Sequence, residues 1–413
     1  MTRVPADIEG GIVTAPEEPV VEVAPRAEPI GPREWVRQNL FATWFSGILT
    51  VLAGAFLIWA SYRFLRWVFV TADWQVLKAS LRVYMVGRFP LEEIWRVWAS
   101  LYLVVLLAGL SRGALGQRIE DRRILAVRAG LLALVVLALL YLLEGVRIWV
   151  LLGAGSGMYI VGVAAGRVLG SRIRVPLFVA WVLTFPAIVV IIRGFGGVAP
   201  ERWGGFMLNV MVAVVAIFLS FPLGLLLALG RRSALPAVRA VCVGFIEFVR
   251  GVPLVSLLIF GELVLPLLLP PGLALSSIVR AMMMFTIFTS AYVAEIVRGG
   301  LQGIPDGQYE AARAVGLSTT RMMGLVILPQ ALRATIPAMI SQFISLFKDT
   351  SLLAAIAGFS ELLDVSRRAA SGLEFLGQQA EALIPAALIF WVVASSMGRW
   401  SQRVERRVGV GVR

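Results

Sequence analysis

Apolar runs of near-membrane length recur along the chain, each bracketed by Arg, Gly or Pro: Phe41–Tyr62, Ile94–Leu110, Ile124–Leu143, Ile148–Leu169, Leu177–Ile192, Phe206–Leu229, Ala240–Leu269, Leu275–Ile296, Ala334–Ile356 and Leu383–Met397. A hydrocarbon core roughly 30 Å thick takes about 20 helical residues to cross. A helix satisfies its own backbone polar groups there, where no water is present to do so. The pattern therefore predicts an all-α, polytopic transmembrane bundle of eight to ten spans. The width of that range comes from one neighbourhood: Ile148–Leu169 is rich in Gly and Ala and carries Arg167, and Arg128 lies in the run before it.

The flanks differ from the runs. Residues 1–33 hold six Pro and several acids with no apolar core, which predicts a disordered tail rather than a secretory signal. Residues 34–202 read as a transmembrane N-terminal extension, 203–400 as a second membrane region, and 401–413 as a basic tail. Lys and Arg outside the runs favour both termini on the inside: Arg112, Arg172, Arg174, Arg231, Arg232, Arg239, Arg313, Arg321 and Arg333 fall in inside loops, and Arg399, Arg403, Arg406 and Arg407 in the inside tail. The outside loops are not empty of charge. Lys78, Arg82, Arg88, Arg367 and Arg368 run against the bias.

Composition removes whole classes of chemistry. Of 413 residues, 59% are apolar and 15% charged, far from a soluble domain. The net charge of +13 is spent on loops between spans, so nucleic acid is not the expected partner; the lipid bilayer is. There is no His, and Cys242 is the one Cys, which excludes His-based zinc sites, Ser-His-Asp triads and internal disulfides. The only Lys residues, Lys78 and Lys348, precede Ala79 and Asp349, so no Gly-Lys-Ser/Thr phosphate loop exists. No cofactor is expected on this chain, and any ATP hydrolysis that drives it belongs to another one.

Under this topology one inside loop, Val297 to Arg333, is abnormally long, and long structured loops are usually functional. Ile304 to Gly316 reads as a short helix, with Asp306 placed to cap its first N–H groups and Gly316 to end it in the left-handed conformation. Ser318 opens a second helix, which Pro329 limits or bends. A helix–Gly–helix unit at the membrane face is shaped to be gripped by another protein.

These residues resemble the EAA loop of binding-protein-dependent ABC importer permeases. That pattern is Glu-Ala-Ala, three residues, Gly, nine residues, an aliphatic residue usually Ile, one residue and Leu-Pro. It is met here by Glu310-Ala311-Ala312, Gly316, Val326 and Leu328-Pro329, with Val for Ile as the one departure. Three further segments are similar to the polar amino-acid uptake branch: Ile246-Glu247-Phe248-Val249-Arg250-Gly251-Val252-Pro253-Leu254, Ser290 to Gly300, and Phe347-Lys348-Asp349-Thr350-Ser351-Leu352. Together they cover about Trp203 to Trp400, which the resemblance implies is a five-helix permease core. Ala72-Asp73-Trp74 and Trp203-Gly204-Gly205 look like the longer permease subunit of bacterial general L-amino-acid importers.

The resemblance implies an inner-membrane, non-catalytic subunit that carries L-amino acids inward. Its partners would be an ATPase dimer holding ATP and Mg, a second permease subunit forming a heterodimer with this chain, and a periplasmic binding protein. Glu310, Ala311, Ala312, Gly316, Leu328 and Pro329 would dock the ATPase.

Ionisable residues inside spans are costly and default to functional roles. Glu247 and Arg250 are three apart and can pair on one helix face, before Pro253 breaks that helix. Lys348 and Asp349, followed by Thr350 and Ser351, could line a pathway or meet a partner subunit. Glu295 and Arg298 fit interfacial snorkelling, Met282-Met283-Met284 fits packing, and Trp35, Trp44, Trp67, Trp149, Trp203 and Trp400 fit interface anchoring. An ion-coupled secondary transporter of small polar solutes is the alternative; it would show an inverted repeat and no docking loop. An intramembrane enzyme has too little chemistry here.

Overall fold

The computed structural model describes residues 31–114, 146–356 and 358–408. The expected span Ile124–Leu143 and residues 1–30 of the expected tail 1–33 lie outside the described residues, and a helix begins at Pro32, inside the tail's expected end. Met1–Ala72 and Asp73–Arg413 are separate compact units.

In the first unit, α1 (Pro32–Leu40) leads to α2 (Trp44–Arg66), which runs on through a π-helical turn, Trp67–Thr71. Thr43 and Ser46 form a reciprocal capping box that satisfies free N–H groups at the start of α2. No residue of α2 is buried, and Trp44, Phe56 and Trp59 are all exposed, as expected of a helix solvated by lipid.

The second unit contains α3 (Gln75–Val86), α4 (Ile94–Ala114), α5 (Val146–Leu169), α6 (Arg174–Arg193), α7 (Gly205–Arg231), α8 (Pro236–Gly251), α9 (Leu254–Ile259), α10 (Leu265–Leu268), α11 (Ser277–Gln302), α12 (Asp306–Ala314), α13 (Thr319–Met322), α14 (Leu328–Asp349), α15 (Leu362–Ala370) and α16 (Gln379–Val408). Seven helical stretches among the described residues are long and apolar enough to cross a membrane, or eight if the bent pair α8 with α9–α10 forms one span.

One of the seven, Val150–Arg193, holds two helices running in opposite directions. Both pack on α4. The Tyr102 hydroxyl donates to the Leu151 carbonyl at 2.8 Å, and Gly113 faces Val163 and Arg167, so α4 and α5 are parallel. Trp181 Nε1 donates to Ser111 Oγ at 2.9 Å, while Arg96 donates to the Ile191 carbonyl at 2.7 Å, so α6 is antiparallel to α4. The reversal is made at Gly170–Ile173, a 3-10 turn. These are the expected spans Ile148–Leu169 and Leu177–Ile192.

Two glycine pairs set the α4–α5 contact. A Cβ on Gly113 would stand 2.3 Å from the Val163 carbonyl oxygen, and one on Gly166 would stand 2.4 Å from that of Leu110. Gly109 and Gly162 repeat the arrangement a turn away, giving Gly-x-x-x-Gly on both helices. Lipid offers little hydrophobic drive between helices, so close backbone approach supplies the attraction.

The core of the second unit is built on α7 and α11, which run parallel; Gly224 meets Val293 and Ser290, and Val212, Leu208 and Phe285 are buried together. The helix α14 returns against α11, with Gly300 on Ala331 and Thr335 at one end and Leu346 in the same buried cluster as Phe285 toward the other. The α16 helix packs alongside, its Phe390 ring 5.4 Å from Phe347. Trp203 is a correction to interface anchoring: it is 5% exposed in this core, its indole N–H donating to the Val198 carbonyl at 3.1 Å. Met282 and Met284 are buried in the same cluster, as packing residues.

The unit has two faces, one carrying residues 303–327 (the loop face) and one carrying α3, α15 and the starts of α7 and α16 (the opposite face). On the opposite face, Leu77, Leu81 and Tyr84 of α3 pack on Leu362, Val365 and Ala386. A buried polar lock joins three elements there. Asn209 Nδ2 donates to Thr350 Oγ1 at 3.1 Å and to Glu361 Oε2 at 3.0 Å, and its Oδ1 accepts from the Leu362 N–H. Glu361 caps α15 by accepting from the Asp364 N–H at 2.8 Å. Asn209, Thr350 and Glu361 are all completely buried. Burial pushes the Glu361 carboxyl above the ordinary glutamate range, and the hydrogen bonds it accepts offset only part of that.

Two outcomes are expected. Gly113→Val should force α4 and α5 apart and cost about 2 kcal/mol, seen as a lower melting temperature in detergent. A glutamate whose folded pKa is raised stabilises most below its unfolded pKa, and that contribution is lost as pH rises through the folded value; Glu361→Gln should flatten this fall in a series of melts from about pH 4 to about pH 8.

Candidate functional site

The loop between α11 and α14 folds as two short helices joined at Gly316, which has φ +78° as the sequence requires. Asp306 is a correction. Pro305 holds the capping position, and Asp306 is the first residue of α12, where its carboxylate faces the positive helix end without a capping bond. Ser318 precedes α13, but its side chain makes no cap bond. The second helix does not stop at Pro329: α13 runs without a gap through a π-helical turn, Met323–Ile327, into α14, and Pro329 withholds one N–H from the turn before it.

Ala312 fixes this unit to the bundle. It is 4% exposed and shares one cluster with Ala228 of α7, Ile246 of α8, Leu301 of α11 and Ala331 of α14. Tyr309 adds polar contacts: its hydroxyl donates to the Leu301 carbonyl and accepts from Arg232, each at 3.3 Å. Gln330 donates to Gln308 at 3.1 Å. The outward side presents Glu310, Ala311, Gly316 and Pro329, with Leu328 half-buried beneath. Val315 and Leu325, 75% and 70% exposed, complete that surface. The spacing pattern did not include them; their exposure emerges only once Ala312 defines the inward side.

Glu247 and Arg250 do not pair with each other. Each reaches another helix: Arg231 lies 3.6 Å from Glu247, and Arg250 lies 3.5 Å from Glu295. Arg231 is also 3.4 Å from Glu295, and Arg298 pairs with it along α11. Glu295 thus gathers three guanidinium groups from α7, α8 and α11, so snorkelling does not describe it. Just beyond, α8 ends at Gly251 and α9 starts at Leu254 after extended Val252 and Pro253, with a bend of 104°. The expected single span Ala240–Leu269 is therefore broken, as Pro253 suggested.

A second pair escaped the sequence reading. Glu262, in the π-helical turn after α9, lies 2.9 Å from Arg280 of α11, and Ser277 donates to the same carboxylate at 2.8 Å. An acid and a base in successive spans were the available signal.

Residues 220–410 match the family described as binding-protein-dependent transport system inner membrane component. The chain is also 34% identical over 428 aligned positions, 94% of this chain and 96% of the other, to the glutamate/glutamine/aspartate/asparagine transport system permease protein BztC of Rhodobacter capsulatus. The chain belongs to the amino-acid ABC importer permeases. It is 35% identical to the inner membrane amino-acid ABC transporter permease protein YhdY of Escherichia coli over 91% of this chain and 93% of that one. With the probable glutamine ABC transporter permease protein GlnP of Bacillus subtilis, identity is 36%, but 50% of this chain accounts for 92% of that one. This permease is thus of the long kind, and the ion-coupled alternative falls.

The candidate residues of the permease gather in two places. Glu310 to Gly316, Leu328, Pro329, Glu247, Arg250 and Pro253 lie toward the loop face. Lys348 to Ser351 lie at the other end of α14, about 28 Å from Pro329 at 1.5 Å per residue. There Lys348 is exposed, Asp349 half-buried, Thr350 fixed in the polar lock, and Ser351 bonded to the Lys348 carbonyl at 2.8 Å.

Glu295→Ala should leave three guanidinium groups facing one another at the end of α11. The expected loss is about 1–2 kcal/mol after discounting for partial exposure, and the gap from wild type should shrink between low-salt and high-salt melts.

Proposed function

We propose that this chain is one of two unlike permease subunits that together form an inward path for L-amino acids through the bacterial inner membrane. A separate ATPase pair, which holds ATP and Mg, docks on the loop face. A periplasmic binding protein delivers the solute to the opposite face. The observation that carries this reading is the EAA-patterned loop itself: it is outward-facing at Glu310, Ala311 and Gly316 yet rooted by Ala312 among four membrane helices. Close approach to a partner favours the small Ala311, and Gly316 sets the angle between the two short helices.

Charge supports the orientation. Arg112, Arg232, Arg313 and Arg321 share the loop face, which supports a cytoplasmic loop face under the positive-inside rule, and in this reading both termini are on that side. The name of the long relative BztC supports glutamate, glutamine, aspartate and asparagine as solutes to test first. Glu247, Arg250, Pro253, Lys348, Asp349, Thr350 and Ser351 are the pathway or interface candidates in this reading.

Gly316→Asp decides the docking role. There is open space around Gly316, but its φ strains an L-residue, and the new carboxylate lands on the docking surface. The variant should insert normally, lose the ATPase on mild-detergent co-purification while keeping the second permease, and abolish uptake. Normal uptake by the inserted variant would sink the reading.

A further inference from the structure

The opposite face carries a cleft that the importer reading leaves without a task. Ser80 of α3, Gly87 and Arg88 just after it, Ser360 before α15, and Val365 and Arg368 of α15 surround a cavity of about 260 Å³. No carboxylate lines it among the described residues. Arg88 is exposed and has no acidic partner among them. Arg368 is half-exposed and pairs with Asp364 through Nε at 2.8 Å, which leaves its two terminal nitrogens to another acceptor.

Both arginines lie on the side that the positive-inside bias disfavours, so topology gives no reason for them. Two guanidinium groups, two hydroxyls and an apolar floor suit a carboxylate. A free amino acid fits poorly, because its ammonium would meet no acid in the lining. A lipid headgroup also fits poorly, because its acyl chains would need an apolar path out of the cleft and the lining offers only Val83, Val365 and Ala369. A protein side chain arriving from water meets neither objection.

We infer that the cleft between α3 and α15 receives an acidic side chain of the solute-binding protein when that protein seats on the opposite face. This rests on the importer reading, which supplies a soluble protein there. It also gives α3, which lies outside the family-matched residues, a role in capture.

The test is uptake by the whole importer complex in phosphatidylcholine proteoliposomes, with its amino-acid-loaded binding protein titrated in. Arg88→Ala and Arg368→Ala should each raise the half-saturating concentration of binding protein about tenfold, well beyond any fall in the maximal rate. Arg88→Lys should recover most of the affinity. Arg88→Glu should be rescued by an acid-to-Lys change on the binding protein, which a misfolded variant could not show. Unchanged titrations in both alanine variants overturn the inference and leave the importer standing. A wild-type complex that ignores the binding protein overturns both. A defect that depends on adding anionic lipid, or L-glutamate binding that Arg88→Ala abolishes without binding protein, assigns the cleft to a headgroup or a free solute and overturns it too.

Discussion

Every backbone N–H and C=O placed in hydrocarbon must find a partner inside the protein, and the second unit is organised by that requirement. Among the described residues it yields helices and confines their irregularities to places where neighbouring protein is at hand. The 104° bend at Val252–Pro253 lies where Val249, Leu257 and Ala291 are buried together, so α11 covers the break. The π-helical turns at Phe260–Val264 and Met323–Ile327 follow the same logic, each at a junction between an α-helix and the next. Where no polar need arises, glycine brings helices into backbone contact, as Gly109, Gly113, Gly162 and Gly166 do between α4 and α5.

The loop between α11 and α14 illustrates how a surface feature gains mechanical consequence. A loop held only by its two ends would absorb a push by flexing. This one is gripped through Ala312, Met322 and Ile327 in a cluster shared with α7, α8, α11 and α14, so a force on α12 reaches four helices at once. The charges around Glu295 sit at the same ends of α7, α8 and α11 and bind those helices to one another. Movement of the loop is therefore movement of a set, with the broken helix after Pro253 attached to it.

What the sequence made legible was short-range. Hydropathy located spans because each is a single continuous stretch, and the EAA pattern located the loop because its Glu, Gly and Pro fall within twenty residues. Pairings across the bundle were hidden. The three-residue spacing of Glu247 and Arg250 permits a pair, but Arg231 and Glu295, 64 residues apart, arrive from adjacent helices and win both. Asn209 and Glu361 are 152 residues apart, and no periodicity links them. Asp306 had the right residue type for a cap, one position late, because Pro305 already supplies the extended backbone there. The apolar stripe of α3 gave no hint that it would serve α15 and α16, nearly three hundred residues on.

The two ends of α14 connect these strands of argument. At 22 residues it is about 33 Å long, rooted at the loop face by Ala331 and at the opposite face by Thr350, just past its last turn, in the lock with Asn209 and Glu361. Thr350 cannot shift freely, because displacing it strands buried polar groups on α7 and α15. A rotation imposed at the loop thus has two outlets. It either bends α14 at Pro337, where the ring has removed a backbone hydrogen bond, or it travels the full length and loosens the lock. The first would move the loop-face half alone. The second would displace Lys348 and Asp349 together with α3 and α15, and so would couple the loop face to the opposite face.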